Sequence, residues 1–126
     1  MPSTADLIGT WRVIAFQEWS PDGVEHHPLG DAPTGYAIFD AAGRIFIQLS
    51  RGAGRGVASD AVARSFMAYF GTFSVAGDQL QVAIESGNNP GDVGTSQTRT
   101  VTVDGDVLTI GIPNQLQATL RREAKP

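Results

Sequence analysis

The stretch LIGTWRVIAFQEW, Leu7 to Trp19, holds both tryptophans of the chain. Its rhythm is that of a strand, with side chains alternating between two faces. Trp11, Val13, Ala15, Gln17 and Trp19 fall on one face; Arg12, Ile14, Phe16 and Glu18 fall on the other. Gly9, two positions before Trp11, lets the chain turn tightly into the strand. At strand spacing the two indoles lie about 26 Å apart, at opposite ends of any sheet this segment joins. Each Trp is therefore either framework or ligand contact, and the two need not share an answer.

The same period recurs outward from this strand. SPDG (Ser20–Gly23) is a turn in which Pro pre-sets φ and Gly accepts a positive one. YAIFD (Tyr36–Asp40) and RIFIQLS (Arg44–Ser50) flank AAG as a hairpin. SDAVARSFMAYF (Ser59–Phe70) predicts a helix, with Ser59 or Asp60 as N-cap and Val62, Phe66 and Tyr69 at helical spacing. Strand rhythm then resumes at Gly71–Val75, Gln79–Ser86, Ser96–Val103, Val107–Ile112 and Gln115–Arg122, separated by Gly-, Asp- or Pro-containing turns. The pattern is all-β: about eight short strands joined as an antiparallel meander, with one short helix. Such a meander removes its exposed edges by closing into an up-and-down barrel, and a barrel of that size can hold one small ligand.

The totals agree. A chain of 126 residues fits one domain, residues 1–126 with a core from about 7 to 122, and is long enough to bury a core unaided. Fifteen glycines accord with many turns. No cysteine is present, so no disulfide framework, thiolate metal site or thiol nucleophile is available. The net charge of −4 without a basic stripe argues against a nucleic-acid partner. MPSTADLIG lacks the basic and apolar regions of a signal peptide, and no apolar run approaches membrane-spanning length. The expectation is a cytoplasmic protein, monomer or homodimer, with no membrane partner.

Several blocks in order, LIGTWRVIAF, PLGDAPTGYAIFD, IQLSR, YFGTFSVAGDQL, NNPGDVGTSQTR and VDGDVLTI, resemble the bacterial lipocalin-like domain family. The resemblance spans about Leu7 to Arg122 and implies a calycin-type β-barrel with an internal cavity. It implies that Gly9-Thr10-Trp11 is the opening signature, with Trp11 plugging the closed end. It further implies that an arginine of the last strand, Arg121 or Arg122 in LRRE, lies across the indole. Some related barrels act as cofactor-free cyclases in natural-product pathways. Val82 and Ala83 stand where the family often carries histidine, and Asp92 stands where it often carries an aromatic. Chemistry resting on those groups does not transfer to this chain.

Candidate functional residues are polar groups in strands and aromatics near the open end. Trp19, at the far end of the first strand from Trp11, is a ligand contact or rim packing. Gln48 shares a face with Phe46; Gln97 and Arg99 share theirs with Val101 and Val103; Glu85 shares its face with Gln81 and Ala83. If Gln97 and Arg99 point inward they need partners, because an unpaired buried charge is costly. Glu85 on the neighbouring strand is a candidate partner, and Tyr36 and Tyr69 offer hydroxyls. The catalytic set expected is Glu85, Arg99 and Tyr69, with ligand contacts from Trp19, Tyr36, Phe46, Gln48, Phe66 and Gln97. The plainer alternative is a structural or solvent-facing ion pair. If Leu80, Val82 and Ile84 face the cavity, Glu85 does not.

Other motifs carry less. His26 and His27 point to opposite faces of a strand and cannot chelate together, so no metal is expected. RGAGRG (Arg51–Gly56) lacks the strand, helix and Lys-Ser/Thr of a phosphate loop, and reads as a mobile connection that, with the following helix, forms a lid. GNNPGDVG is a long turn that can line the entrance. No hydrolase triad is suggested. The primary functional reading is binding of a small, largely apolar organic molecule in the barrel, without cofactor. The alternative is a cofactor-free cyclase or isomerase acting in the same cavity. A core filled by Phe46, Phe66, Phe73 and leucines would leave only a structural or interaction role.

Overall fold

A computed structural model describes residues 1–52 and 66–123. The chain enters through one helical turn, α1 (Thr4–Leu7), closed by a capping box. The Ser3 hydroxyl accepts from the Asp6 N–H, and the Asp6 carboxylate accepts from the Ser3 N–H. The strands described are β1 (Gly9–Trp19), β2 (Glu25–His26), β3 (Thr34–Phe39), β4 (Arg44–Ser50), β5 (Phe66–Ala76), β6 (Gln79–Gly87), β7 (Ser96–Asp104), β8 (Val107–Ile112) and β9 (Leu116–Arg122). Each pairs antiparallel with its neighbour, and β9 returns to pair with β1. β1 and β3–β9 thus form the closed eight-stranded antiparallel barrel that the sequence predicts. β2 is an added edge strand, held on the end of β1 through Glu18–His26 and Trp19–Glu25.

Alternation sorts the side chains. Ala37 and Phe39 on β3, Ile45, Ile47 and Leu49 on β4, Leu80, Val82 and Ile84 on β6, and Leu108 and Ile110 on β8 are buried inside. Phe39 and Phe73 meet edge to face, 5.0 Å between ring centroids. Two glycines are demanded by close backbone approach where strands bend. A Cβ on Gly35 would lie 1.9 Å from the Gln48 carbonyl oxygen, and one on Gly71 would lie 1.8 Å from that of Ala83.

One end of the barrel is closed by Trp11, which is fully buried. Its indole N–H donates to the Leu7 carbonyl at 2.9 Å. Trp11 pairs in register with Arg122, whose guanidinium carbon lies 4.1 Å from the indole centroid. Arg122 also donates to the carbonyls of Ile8 (2.9 Å) and Asp6 (2.8 Å), so one side chain joins β9, β1 and the entry turn. Arg121 is exposed on the outer face. Of the two arginines in LRRE, the inward parity of β9 selects Arg122.

Two sequence expectations change. The β1–β9 ladder runs Val13–Leu120 and then Ala15–Thr119, leaving Ile14 as an unpaired bulge that is 42% exposed. One extra residue reverses parity downstream. Phe16 and Glu18 therefore turn inward, and Trp19 does not share a face with Trp11. The helix expected over Ser59–Phe70 lies partly outside the described residues, as do Ala53–Gly56 of the glycine-rich loop and the lid built on both. Its last five residues, Phe66–Phe70, are strand, pairing from Ser50–Phe66 to Phe46–Phe70 along β4. Pairing with an already formed strand outweighs helical spacing in an apolar run that fits either period. Among the described residues no helix is long and apolar enough to cross a membrane.

The plug generates a stability prediction. Trp11→Ala is expected to cost about 3–5 kcal/mol. Arg122→Met, which keeps the stem but loses the charge and both hydrogen bonds, is expected to cost roughly 1–3 kcal/mol. Arg121→Met should stay within about 0.5 kcal/mol. Urea unfolding midpoints at unchanged slope measure all three; equal values for the two arginine variants would reject the plug.

Candidate functional site

At the end opposite Trp11 the barrel interior opens into a cavity of about 510 Å³. Its apolar wall comes from Phe16 (β1), Ile47 (β4), Met67 (β5), Ile110 (β8), and Leu116 and Ala118 (β9). Each belongs to the inward parity of its strand, Phe16 because of the bulge at Ile14. Phe66 also lines this cavity, from a strand rather than the expected helix.

The polar groups enter from β5, β7 and the β6–β7 connection. Gln97 and Arg99 are two apart on β7 and share the inward face with buried Val101, opposite Val82 and Leu80 in register. Tyr69 comes from β5, and the three line the cavity together with Asp92 and Glu18. The Arg99 guanidinium donates to the carbonyl of Thr98 at 2.9 Å. Among the described residues no carboxylate stands within ion-pair distance of it; the ion pairs found are Arg12–Glu123, His27–Glu25 and Arg122–Asp106. Burial pushes the Tyr69 phenol above its ordinary value, Asp92 adds to the rise, and the charge of Arg99 opposes both. Tyr69 is therefore a neutral O–H at physiological pH. A guanidinium and a phenol beside the amide of Gln97 form a donor-rich wall, suited to a carbonyl or carboxylate oxygen, in a chamber that is largely apolar but also carries the Glu18 and Asp92 carboxylates.

The rim is built by the GNNPGDVG segment, which lines the entrance. Asn88 clips it to β5: its Oδ1 accepts from the Ala68 N–H at 3.0 Å and its Nδ2 donates to the Phe66 carbonyl at 2.9 Å. Asn89 caps the short 3-10 turn Pro90–Asp92, and its Nδ2 donates to the Asp92 carboxylate at 3.0 Å. Asp92 is thus held at the entrance by local hydrogen bonds.

Of the nine residues singled out in sequence, Phe66, Tyr69, Gln97 and Arg99 converge on the cavity. The other five do not. Glu85, left unpaired where the β5–β6 ladder steps from Phe70–Ser86 to Gly71–Ile84, is exposed on the outer face while Leu80, Val82 and Ile84 take the inner one, so, contrary to the expectation, it does not join Arg99 and Tyr69. Tyr36, Phe46 and Gln48 lie outside, since Ala37, Ile45, Ile47 and Leu49 face in, and they line a shallow groove across β3–β5. There Phe46 stacks on Phe70 at 5.9 Å, and the Tyr36 hydroxyl accepts from Arg12, itself paired with Glu123 at 2.7 Å. Trp19 lines a separate outer groove. Sequence reading missed Phe16 and Glu18, hidden by the bulge. Asp92 sits in a loop, where periodicity says nothing of direction. Among the described residues no cluster of three metal-ligating side chains occurs; His27 Nε2 meets Glu25 Oε2 at 2.9 Å on the surface.

The chain matches the family model for the lipocalin-like domain over residues 8–124, and belongs to that family. Among solved structures it is similar to an uncharacterized protein from Bacteroides eggerthii, at 14% identity and TM-score 0.56, covering 94% of this chain and 100% of that one. It is equally similar to a lipocalin-like protein from Bacteroides uniformis, at 15% identity and TM-score 0.56, covering 94% and 99%. At such identities the likeness is one of fold. No curated protein matches the chain.

The burial of Tyr69 is measurable. In Tyr36→Phe the only remaining tyrosine is Tyr69. Its tyrosinate absorbance should appear with a midpoint above 10.0. Because the folded value is raised, the unfolded chain releases this proton first as pH climbs. The stabilisation is complete below the unfolded value near 10 and is lost as pH passes through the folded one. A midpoint at or below 10.0 would show that the phenol is not held neutral by burial.

Proposed function

We propose that this lipocalin-like domain binds a small, largely apolar organic molecule inside the barrel, with a carbonyl or carboxylate of that molecule seated between Arg99, Tyr69 and Gln97. The observation that carries this reading is the unpaired guanidinium, among the described residues, beside a neutral phenol in a largely apolar chamber. The cavity, about 510 Å³, lies within the size range of small-molecule sites, and its few convergent polar groups are the usual means of fixing orientation. An acidic headgroup supplies the counter-charge that, among the described residues, no carboxylate brings within ion-pair distance of Arg99, with hydrogen bonds stronger than neutral ones.

A second reading, cofactor-free isomerisation or cyclisation, is favoured by one feature. The donors that hold a carbonyl also stabilise the enolate formed when a neighbouring C–H is deprotonated. With Glu85 outside, the proton acceptor in that case is Glu18 or Asp92, the carboxylates that line the chamber. The substrate then loses a proton to the carboxylate and recovers one at another carbon, with no redox change.

Native mass spectrometry of the protein as purified asks whether a small molecule travels with it, and whether that molecule leaves the barrel chemically unchanged. The headgroup is tested with dodecanoate against dodecanol, which share a chain and differ at one end. Dodecanoate should bind about tenfold more tightly, the size of one charge-assisted hydrogen bond. Arg99→Met should abolish that preference while leaving dodecanol affinity in place. Equal binding of the two by the unaltered protein removes the headgroup assignment; binding of neither removes the interior site.

A further inference from the structure

We propose that the outer groove beside Trp19 is a second binding site, separate from the interior, whose ligand is a neutral saccharide. The groove measures about 610 Å³ and runs over the outer surface of β7, β8 and β9. It exists because of the bulge at Ile14. Without that extra residue Trp19 would point into the barrel; with it, the indole is half-buried on the outside.

The register defines the floor. Thr100 pairs with Gly111, Gly111 with Gln117, and Gln117 with Gln17, a row crossing four strands. The next row begins with Thr102 paired with Thr109. Gly111 has no side chain for a packing reason: a Cβ there would meet the Leu116 carbonyl oxygen at 2.3 Å. Its bare backbone leaves a depression between flanking hydroxyl and amide groups. Trp19 and the β8–β9 turn, Pro113–Asn114, wall this depression, and Asn114 holds the turn with a φ of 64°.

Three properties select the ligand class. Among the described residues no charged side chain lines the groove, so an ionic ligand finds no counter-charge there. The floor offers Thr100, Thr102, Thr109 and Gln117, side chains that both donate and accept, which suits a partner dense in hydroxyls. The wall offers an indole whose electron-rich face attracts the electron-poor C–H face of a pyranose ring. A purely apolar ligand would bury the threonine hydroxyls without partners, and a charged one would lose hydration without return. Beside Gln117 in the register but outside the groove lining, the buried Oε1 of Gln17 has no partner among the described residues.

The test is a titration of the isotope-labelled full chain with cellobiose, maltotriose and chitobiose, followed by amide and indole N–H resonances. At least one saccharide should give saturable shifts at Trp19, Thr102, Thr109, Gly111 and Gln117, with a dissociation constant on the order of 1 mM or tighter. Trp19→Ala should weaken binding by about tenfold or more. The outer-face pair Thr102→Val with Thr109→Val should do the same with the indole intact, which keeps the test valid if the Trp19 variant fails to fold. A hexuronic acid should bind more weakly than the neutral sugars. No saturable shift with any of the three saccharides, shifts centred on Tyr69 and Arg99 instead, or equal binding of the hexuronic acid would each overturn the proposal.

Discussion

The guanidinium of Arg122 lying over the Trp11 indole is the contact on which the rest of the barrel depends. A meander of short strands closes only if its last strand finds its first in one register. The Trp11–Arg122 pair fixes that register at one end, and the bonds from Arg122 to the carbonyls of Ile8 and Asp6 tie the entry turn to the same point. With that end sealed, the apolar faces of the strands enclose the interior and the opposite end is left to open. The cavity and its polar wall are consequences of this asymmetry.

The bulge at Ile14 is the second organising feature. It divides β1 into a half that serves closure, with Trp11 and Val13 inward, and a half that serves the open end, with Phe16 and Glu18 inward. The same step carries Trp19 outside. One unpaired residue thus reshapes the chamber and creates the outer groove. The two cavities differ in kind. The interior concentrates charge and a neutral phenol within apolar walls, where low polarizability strengthens each interaction. The groove spreads uncharged hydroxyl and amide groups beside an aromatic face, under solvent, where shape and many weak contacts decide.

Much of the fold was legible from periodicity. Alternation, turn residues and the lack of βαβ order suffice for a closed antiparallel meander, while the framework role of Trp11 came from the family resemblance carried by G-T-W. Gln97 and Arg99, two apart and in phase with Val101 and Val103, were legible as sharing one face with them, while the sequence left open whether that face was the inner one. Glu85 was misassigned although its neighbours Leu80, Val82 and Ile84 carried the contrary signal. Tyr36, Phe46 and Gln48 failed for the same reason: an aromatic or amide on a strand does not disclose which face is inner until the partner face is compared. Phe66–Phe70 reads as helix or strand in isolation, and only β4 alongside it decides.

The sequence by itself therefore determined the class of fold and the strand order, because these follow from local period and turn residues; the resemblance to the lipocalin-like family supplied the Trp11 plug, and the direction of Arg99 stayed open. Tertiary structure decided three things that no local pattern encodes. It chose Arg122 over Arg121, since only one parity of β9 faces the indole. It sent Trp19 outward and Glu18 inward, through the bulge at Ile14. It also set Tyr69 beside Arg99 across strands thirty residues apart in the chain. The reason is common to all three: a strand has two equivalent faces, and pairing, with its bulges at Ile14 and Glu85, determines which of them becomes the inside.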